Sequence, residues 1–174
     1  NTVPLSLDTS YSIRINGETL IVRLSQNDTL IFKHGMFSFK YLKDYKVSRL
    51  VIEEGIDQYM IMSADGSGIA IQVYSNLDPT MLNEMMLNEV TKESRNYGYE
   101  LSREDYKRAL ISGQTLDVTR GVLSYKEDKS IYEIATFGYK DEGILIITII
   151  SNENISDQGQ DIIQLMCNSL YIEN

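Results

Sequence analysis

Ile131-Tyr-Glu-Ile-Ala-Thr-Phe-Gly138 and Gly143-Ile-Leu-Ile-Ile-Thr-Ile-Ile150 run into a helical pattern from Ser156 to Leu170. Successive side chains alternate across a strand. In the second run Ile144, Ile146 and Ile150 therefore point one way, and Leu145, Ile147 and Ile149 the other. A strand apolar on both sides needs cover on both faces. Ile162, Ile163, Met166, Cys167 and Leu170 recur at helical spacing, and with Ser156 as cap they form the stripe expected to supply part of that cover.

Working outward, Thr115 to Tyr125, Ile131 to Tyr139 and Ile144 to Ile150 read as a meander with polar turns. Upstream, Asp78-Pro79 is a helix start: the aspartate accepts from free amides and proline fits the first helical position. Leu82, Met86 and Val90, with Met85 beside them, mark the apolar stripe of a helix to about Asn96, with an exit at Tyr97-Gly98. Tyr99 to Ser112 suits either a helix capped at Ser102-Arg-Glu-Asp105 or an extended segment, and the expectation is helix. Arg49 to Glu53, Tyr59 to Ser63 and Ile69 to Tyr74 form a first meander, broken at Gly55 and at Asp65-Gly-Ser-Gly68. Thr19 to Leu24 and Leu30 to Lys33, around Gln26-Asn-Asp28, read as a hairpin, and Phe37 to Tyr41 as a half-buried strand. With only Pro4 and Pro79 there is no proline-rich linker, so one domain over residues 30–174 is expected, with residues 1–29 as an N-terminal extension or hairpin.

The 174 residues are 43% hydrophobic and carry a formal charge of -9. Such a chain can bury a core without staples. Its charge repels phosphate backbones and anionic membrane surfaces, so nucleic acid is not an expected partner. The longest near-continuous apolar run, Ile144 to Ile150, is far short of the roughly 18 residues of a membrane helix, so no integral membrane segment is expected. Cys167 is the single cysteine and reads as a small core residue. The small, polar opening from Asn1 leads to the expectation of an exported protein of the periplasm or envelope, with a lipid anchor on a removed segment as one form.

Little in the sequence carries chemistry. His34 is the only histidine, which argues against multi-histidine zinc sites, and Lys33-His-Gly35 reads as a solvated strand end. Asp65-Gly-Ser-Gly68 lacks the lysine of a phosphate loop and the alternating acids of a calcium loop, and reads as a hairpin turn. Glu53-Glu54, Asp57 and Asp141-Glu142 lie at turns, where charged residues face water. No catalytic residue, metal or cofactor is expected. Twelve tyrosines and no tryptophan are the remaining signal. Tyrosine joins apolar area to a hydrogen-bonding tip, so Tyr97, Tyr99, Tyr106, Tyr125, Tyr132 and Tyr139 are the candidate interaction surface.

The order of elements resembles the Mog1/PsbP-like fold. The resemblance rests on Met36-Phe-Ser-Phe-Lys-Tyr-Leu-Lys-Asp-Tyr-Lys-Val47, similar to the opening aromatic strand of those domains, on the strand-to-helix junction Ile69 to Glu84, and on the closing strand-helix unit with Ser169-Leu170. It spans residues 30–172. It implies an α+β architecture, an antiparallel sheet of about six to eight strands with helices on its faces, as an α/β/α sandwich. The superfamily includes photosystem extrinsic subunits, a nuclear import factor that binds a small GTPase, and bacterial envelope proteins. These are mostly binding and assembly factors, and no binding residue of any member can be carried onto this chain.

The expected function is a non-catalytic protein-binding or assembly module of the bacterial envelope. A first rival is an immunity or inhibitor protein, since an acidic, tyrosine-rich domain suits capture of a basic toxin or enzyme. A second is a small-molecule-binding domain or enzyme whose site is assembled from residues distant in sequence.

Overall fold

A computed structural model describes residues 10–15, 17–23, 29–151 and 157–173. Tight turns organise the first half. Gly17, at φ +87°, closes a hairpin between β1 (Ser10–Ile15) and β2 (Glu18–Arg23), which among the described residues pair only with each other. β3 (Thr29–His34) turns at Gly35 into β4 (Phe37–Leu42). The expected hairpin between residues 19–24 and 30–33 is thus corrected: its two strands belong to different hairpins, and its turn lies outside the described residues. β5 (Lys46–Glu53), β6 (Ile56–Met62) and β7 (Gly68–Tyr74) follow as the expected meander.

The Asp78 carboxylate accepts from the Thr80 amide at 2.9 Å and from its hydroxyl at 2.7 Å, starting a single 3-10 turn over Pro79–Met81. α1 (Asn83–Asn96) continues it. Its buried positions are Leu87 and Thr91, beside half-buried Leu82, Met86 and Val90, while Met85 is exposed. Asn83 fixes the start of the helix, donating to the Asp117 carbonyl at 3.0 Å and accepting from the Thr136 hydroxyl at 2.9 Å. Gly121 lets the helix come close: a Cβ there would meet Leu87 at 2.8 Å.

β8 (Glu100–Ala109) replaces the helix expected over residues 99–112. Its neighbour β9 (Thr115–Tyr125) pairs with it from Glu100–Ser124 to Ala109–Thr115, and a ladder of that length outweighs the local capping signal at Ser102. β10 (Asp128–Tyr139), β11 (Glu142–Ile150), α2 (Asp157–Asn168) and the short β12 (Tyr171–Ile172) complete the chain; the proposed cap Ser156 and the side chain of Ile162 lie outside the described residues.

The centre is a seven-stranded antiparallel sheet in the order β5-β6-β7-β11-β10-β9-β8. β11 lies in its middle, which is why its sequence is apolar on both sides. Leu145 and Ile147 pack with Leu87 of α1 on one face; Ile144 and Ile146 pack with Phe39, Ile163 and Met166 on the other. Burying each such side chain contributes about 1.5–3 kcal/mol. The antiparallel sheet agrees with expectation, while the cover differs in kind. The second face lies under a three-stranded sheet, β12-β4-β3, together with α2, so strands dominate more than a plain α/β/α sandwich implies.

Candidate functional site

Three surfaces can carry function: a cavity beneath α2, the free edge of the large sheet, and a tyrosine cluster. The cavity follows from strand register. Glu104, Arg120, Glu133 and Thr148 are directly paired across β8, β9, β10 and β11, so they form one polar row on the face that α2 covers. Glu133 is 7% exposed. Its carboxylate accepts from Tyr106 Oη at 2.9 Å and from Arg108 Nη2 at 2.7 Å, and the same Nη2 also donates to Tyr106 Oη at 2.7 Å. Arg120 Nη1 stands 3.6 Å from Glu133 Oε1. Buried charges are stable only when paired and hydrogen-bonded in this way. Burial, then the Glu133 charge, raises the Tyr106 hydroxyl above its ordinary pKa, so it remains a donor.

Beside this cluster is a half-open cavity of about 490 Å³. Glu104, Arg120, Ile150, Ile163, Gln164 and Asn168 line it along with Tyr106, Arg108 and Glu133. Cys167 is at its floor, 3.8 Å from the Thr148 hydroxyl. Burial pushes the thiol up despite the pull of Arg108, so it is no activated nucleophile.

The edge is β5. All eight of its residues are exposed, and among the described residues it pairs with β6 alone. Val47 and Val51 lie on one face of the strand and Leu50 on the other, and Ile52 sits at a register shift between Val51 and Glu53; each of the four is between 45% and 60% exposed. A guanidinium fork from Arg49 to Asp57, with Nη2 at 3.0 Å from both oxygens, holds it to β6.

The candidate tyrosines do not form one surface. The Tyr99 and Tyr125 rings pack at a tilt with centroids 5.3 Å apart, the Tyr99 hydroxyl donates to Asp128, and Lys126 lies over Tyr125 at 5.1 Å. Hydrogen bonding to Asp128 raises the Tyr99 pKa, with Tyr125 and Tyr132 near enough to add to it. Tyr97, 81% exposed, follows α1 directly. Tyr106 belongs to the α2 cavity instead, and Tyr139 is at the far end of β10 from Tyr132, under Lys140. His34 is not in the cavity: its half-buried ring packs 5.3 Å from Phe37 and 5.0 Å from Tyr59, with Nδ1 unpartnered among the described residues.

The sequence reading missed the cavity residues Arg108, Arg120 and Glu133. One signal could have found them: Glu133 shares a strand face with Ile131 and Ala135, and a carboxylate on an otherwise apolar face requires a cationic partner.

No family model and no curated relative matches the sequence. Among solved structures, the chain is similar to the solution structure of cyanobacterial PsbP (CyanoP) from Synechocystis sp. PCC 6803, at 10% identity and a TM-score of 0.57. The superposition covers 86% of this chain and 95% of that one. The chain therefore has a PsbP-like fold, and at this identity the likeness speaks to fold alone.

Proposed function

We propose that this chain is a non-catalytic binding or assembly module that engages a protein partner by strand addition at β5. The observation that supports it is the edge itself. An exposed, eight-residue strand with Val47 and Val51 on one face and Leu50 on the other is a template for another strand; Lys46 and Glu53 stand at its ends, a register shift follows Val51, and Arg49 is engaged by Asp57, so the segment from Val47 to Val51 is the part open to pairing. Main-chain hydrogen bonds would supply affinity, and Val47, Leu50, Val51 and Ile52 would supply the apolar contacts on either side. With a chain charge of -9, a basic partner is favoured in encounter. An exported setting in the bacterial envelope belongs to the same reading, and the fold resemblance is its support.

The test is a photo-crosslinking residue placed at Val47 in the native cell, with one at exposed Ile111 as control. One defined protein captured from Val47, lost on Leu50→Lys with Val51→Lys, is the expected result. Equal labelling from both positions, together with turnover of a defined substrate by the purified chain, overturns the reading. A second reading, a small-molecule-binding domain, is favoured by the α2 cavity.

A further inference from the structure

Four charged side chains line the α2 cavity, and only two of them satisfy each other. Arg108 and Glu133 are joined at 2.7 Å and share Tyr106. Arg120 and Glu104 are direct neighbours across the β8–β9 ladder, yet among the described residues no ion pair within 4.0 Å joins them. The single ion-pair contact of Arg120 is the 3.6 Å approach to an oxygen that Tyr106 already occupies. Most of its fork of donors therefore faces the cavity without an acceptor.

A guanidinium and a carboxylate side by side, neither matched, are complementary to the two ends of a zwitterion. The remaining walls set its body. Ile150, Ile163 and the Tyr106 ring are apolar, and the Gln164 and Asn168 amides stand on the helix side. The space of about 490 Å³ is within the range of small-molecule sites, roughly 300–1,000 Å³. A bare phosphate or a dicarboxylate suits it poorly, because Glu104 and Glu133 would repel the second charge.

We infer that this cavity binds a free α-amino acid with an apolar side chain, its carboxylate on Arg120, its ammonium on Glu104 and its side chain against Ile150 and Ile163. This goes beyond docking at β5 and rests on different residues. Arg108, Tyr106 and Glu133 act as positioning residues, holding the wall against which Arg120 is displayed.

The experiment is titration of L-leucine, L-isoleucine, L-valine and L-phenylalanine into the isotope-labelled 174-residue chain, followed by backbone amide resonances. At least one should move the resonances of Glu104, Arg120 and Gln164 at millimolar concentration. N-acetyl-leucine lacks the ammonium and leucine methyl ester lacks the carboxylate; each should bind at least roughly tenfold more weakly than leucine, the loss of one charge-assisted contact. Arg120→Gln and Glu104→Gln, both at the accessible rim, should weaken binding similarly while the rest of the spectrum shows an intact fold. If all four amino acids leave these resonances in place, or N-acetyl-leucine binds as well as leucine, the inference is overturned. Leu50→Lys should leave amino-acid binding unchanged, which separates this outcome from that of the edge.

Discussion

Ser151 Oγ donates a 2.7 Å hydrogen bond to the carboxylate of Asp65, 86 residues earlier in the chain. The same carboxylate accepts from Ser67 at 2.9 Å and from Ser63, and Ser67 Oγ accepts from the Ser151 amide at 3.0 Å. The β6–β7 turn is thereby tied to the end of β11, where the central strand leaves the sheet. A turn that the sequence marks only by its glycines is also a latch.

That latch has a pH dependence. Partial burial pushes the Asp65 carboxyl up, but donors from Ser63, Ser151 and Ser67 outweigh it and hold its pKa down at about 2. A depressed carboxylate stabilises the fold above its unfolded pKa of about 3.9, and that stability is lost as pH falls from there toward 2. Because solvent reaches Asp65, the contribution is about 1 kcal/mol. Urea denaturation at neutral pH and near the lower end of this window should show Asp65→Asn closing most of that gap. An unchanged pH slope in the variant would remove the latch from the account.

The Asp78 cap is seated in a notch made by two paired glycines, Gly138 and Gly143. A Cβ on Gly138 would come 2.1 Å from Asp78 Oδ1, and one on Gly143 would meet Pro79 Cδ at 2.6 Å. Gly138→Ala should cost about 2–3 kcal/mol by overpacking, and Asp78→Ala about 1 kcal/mol by loss of the cap. The two costs should not add, because removing the Asp78 carboxylate relieves the clash. A double-mutant cycle measures this coupling, and strict additivity would show that the notch does not act through Asp78.

Removing Glu133 strands its cationic partner. Arg108 is 20% exposed at the side chain and Glu133 is 8%, so Glu133→Ala should cost about 3–5 kcal/mol in chemical denaturation. Glu133→Leu with Arg108→Met should cost less than Glu133→Ala alone, since no buried charge is then left unpaired. The reverse order would mean that the pair's attraction, rather than its desolvation, dominates at this site.

How far this was legible in sequence depended on how each residue meets solvent. β11 was readable because both its faces are buried, so from Ile144 to Ile150 every position but Thr148 is apolar. β8 was not, because charge occupies both its faces: Arg103 and Lys107 pair with Glu84, Asp105 and Asp117 on the α1 side, while Glu104 and Arg108 face the cavity. A period of two written in charges is invisible to hydrophobic patterning, and only the ladder to β9 reveals it. Asn16-Gly17 is a strong hairpin signal in the sequence, and Gly17 lies at the turn of the first hairpin. Reading the later Gln26-Asn-Asp28 as the turn instead paired β2 with the wrong strand. The cavity needed four strands in register and a helix from the chain's end, so no local window contains it.

Cys167 should be inert while the chain is folded. It is 6% exposed, and burial raises its thiol pKa, so little reactive thiolate is present at neutral pH. Labelling by a disulfide reagent should follow the opening of α2 and accelerate sharply with denaturant. Immediate stoichiometric labelling in buffer would show that the cavity admits reagents to its floor.

The edge strand makes the opposite demand, a large effect on binding with almost none on folding. Leu50, Val51 and Ile52 are all exposed, so placing lysine at Leu50 and Val51 removes little buried area from the chain. Surface changes of this kind shift stability by about 0.5 kcal/mol or less. Lysine on an edge nevertheless opposes addition of another strand, by charge and by the desolvation such pairing would require. The double variant should therefore melt within a few degrees of the parent while losing the partner captured at Val47. A strongly destabilised variant would mean that β5 is covered by the chain itself, and the free edge on which the docking proposal stands would not exist.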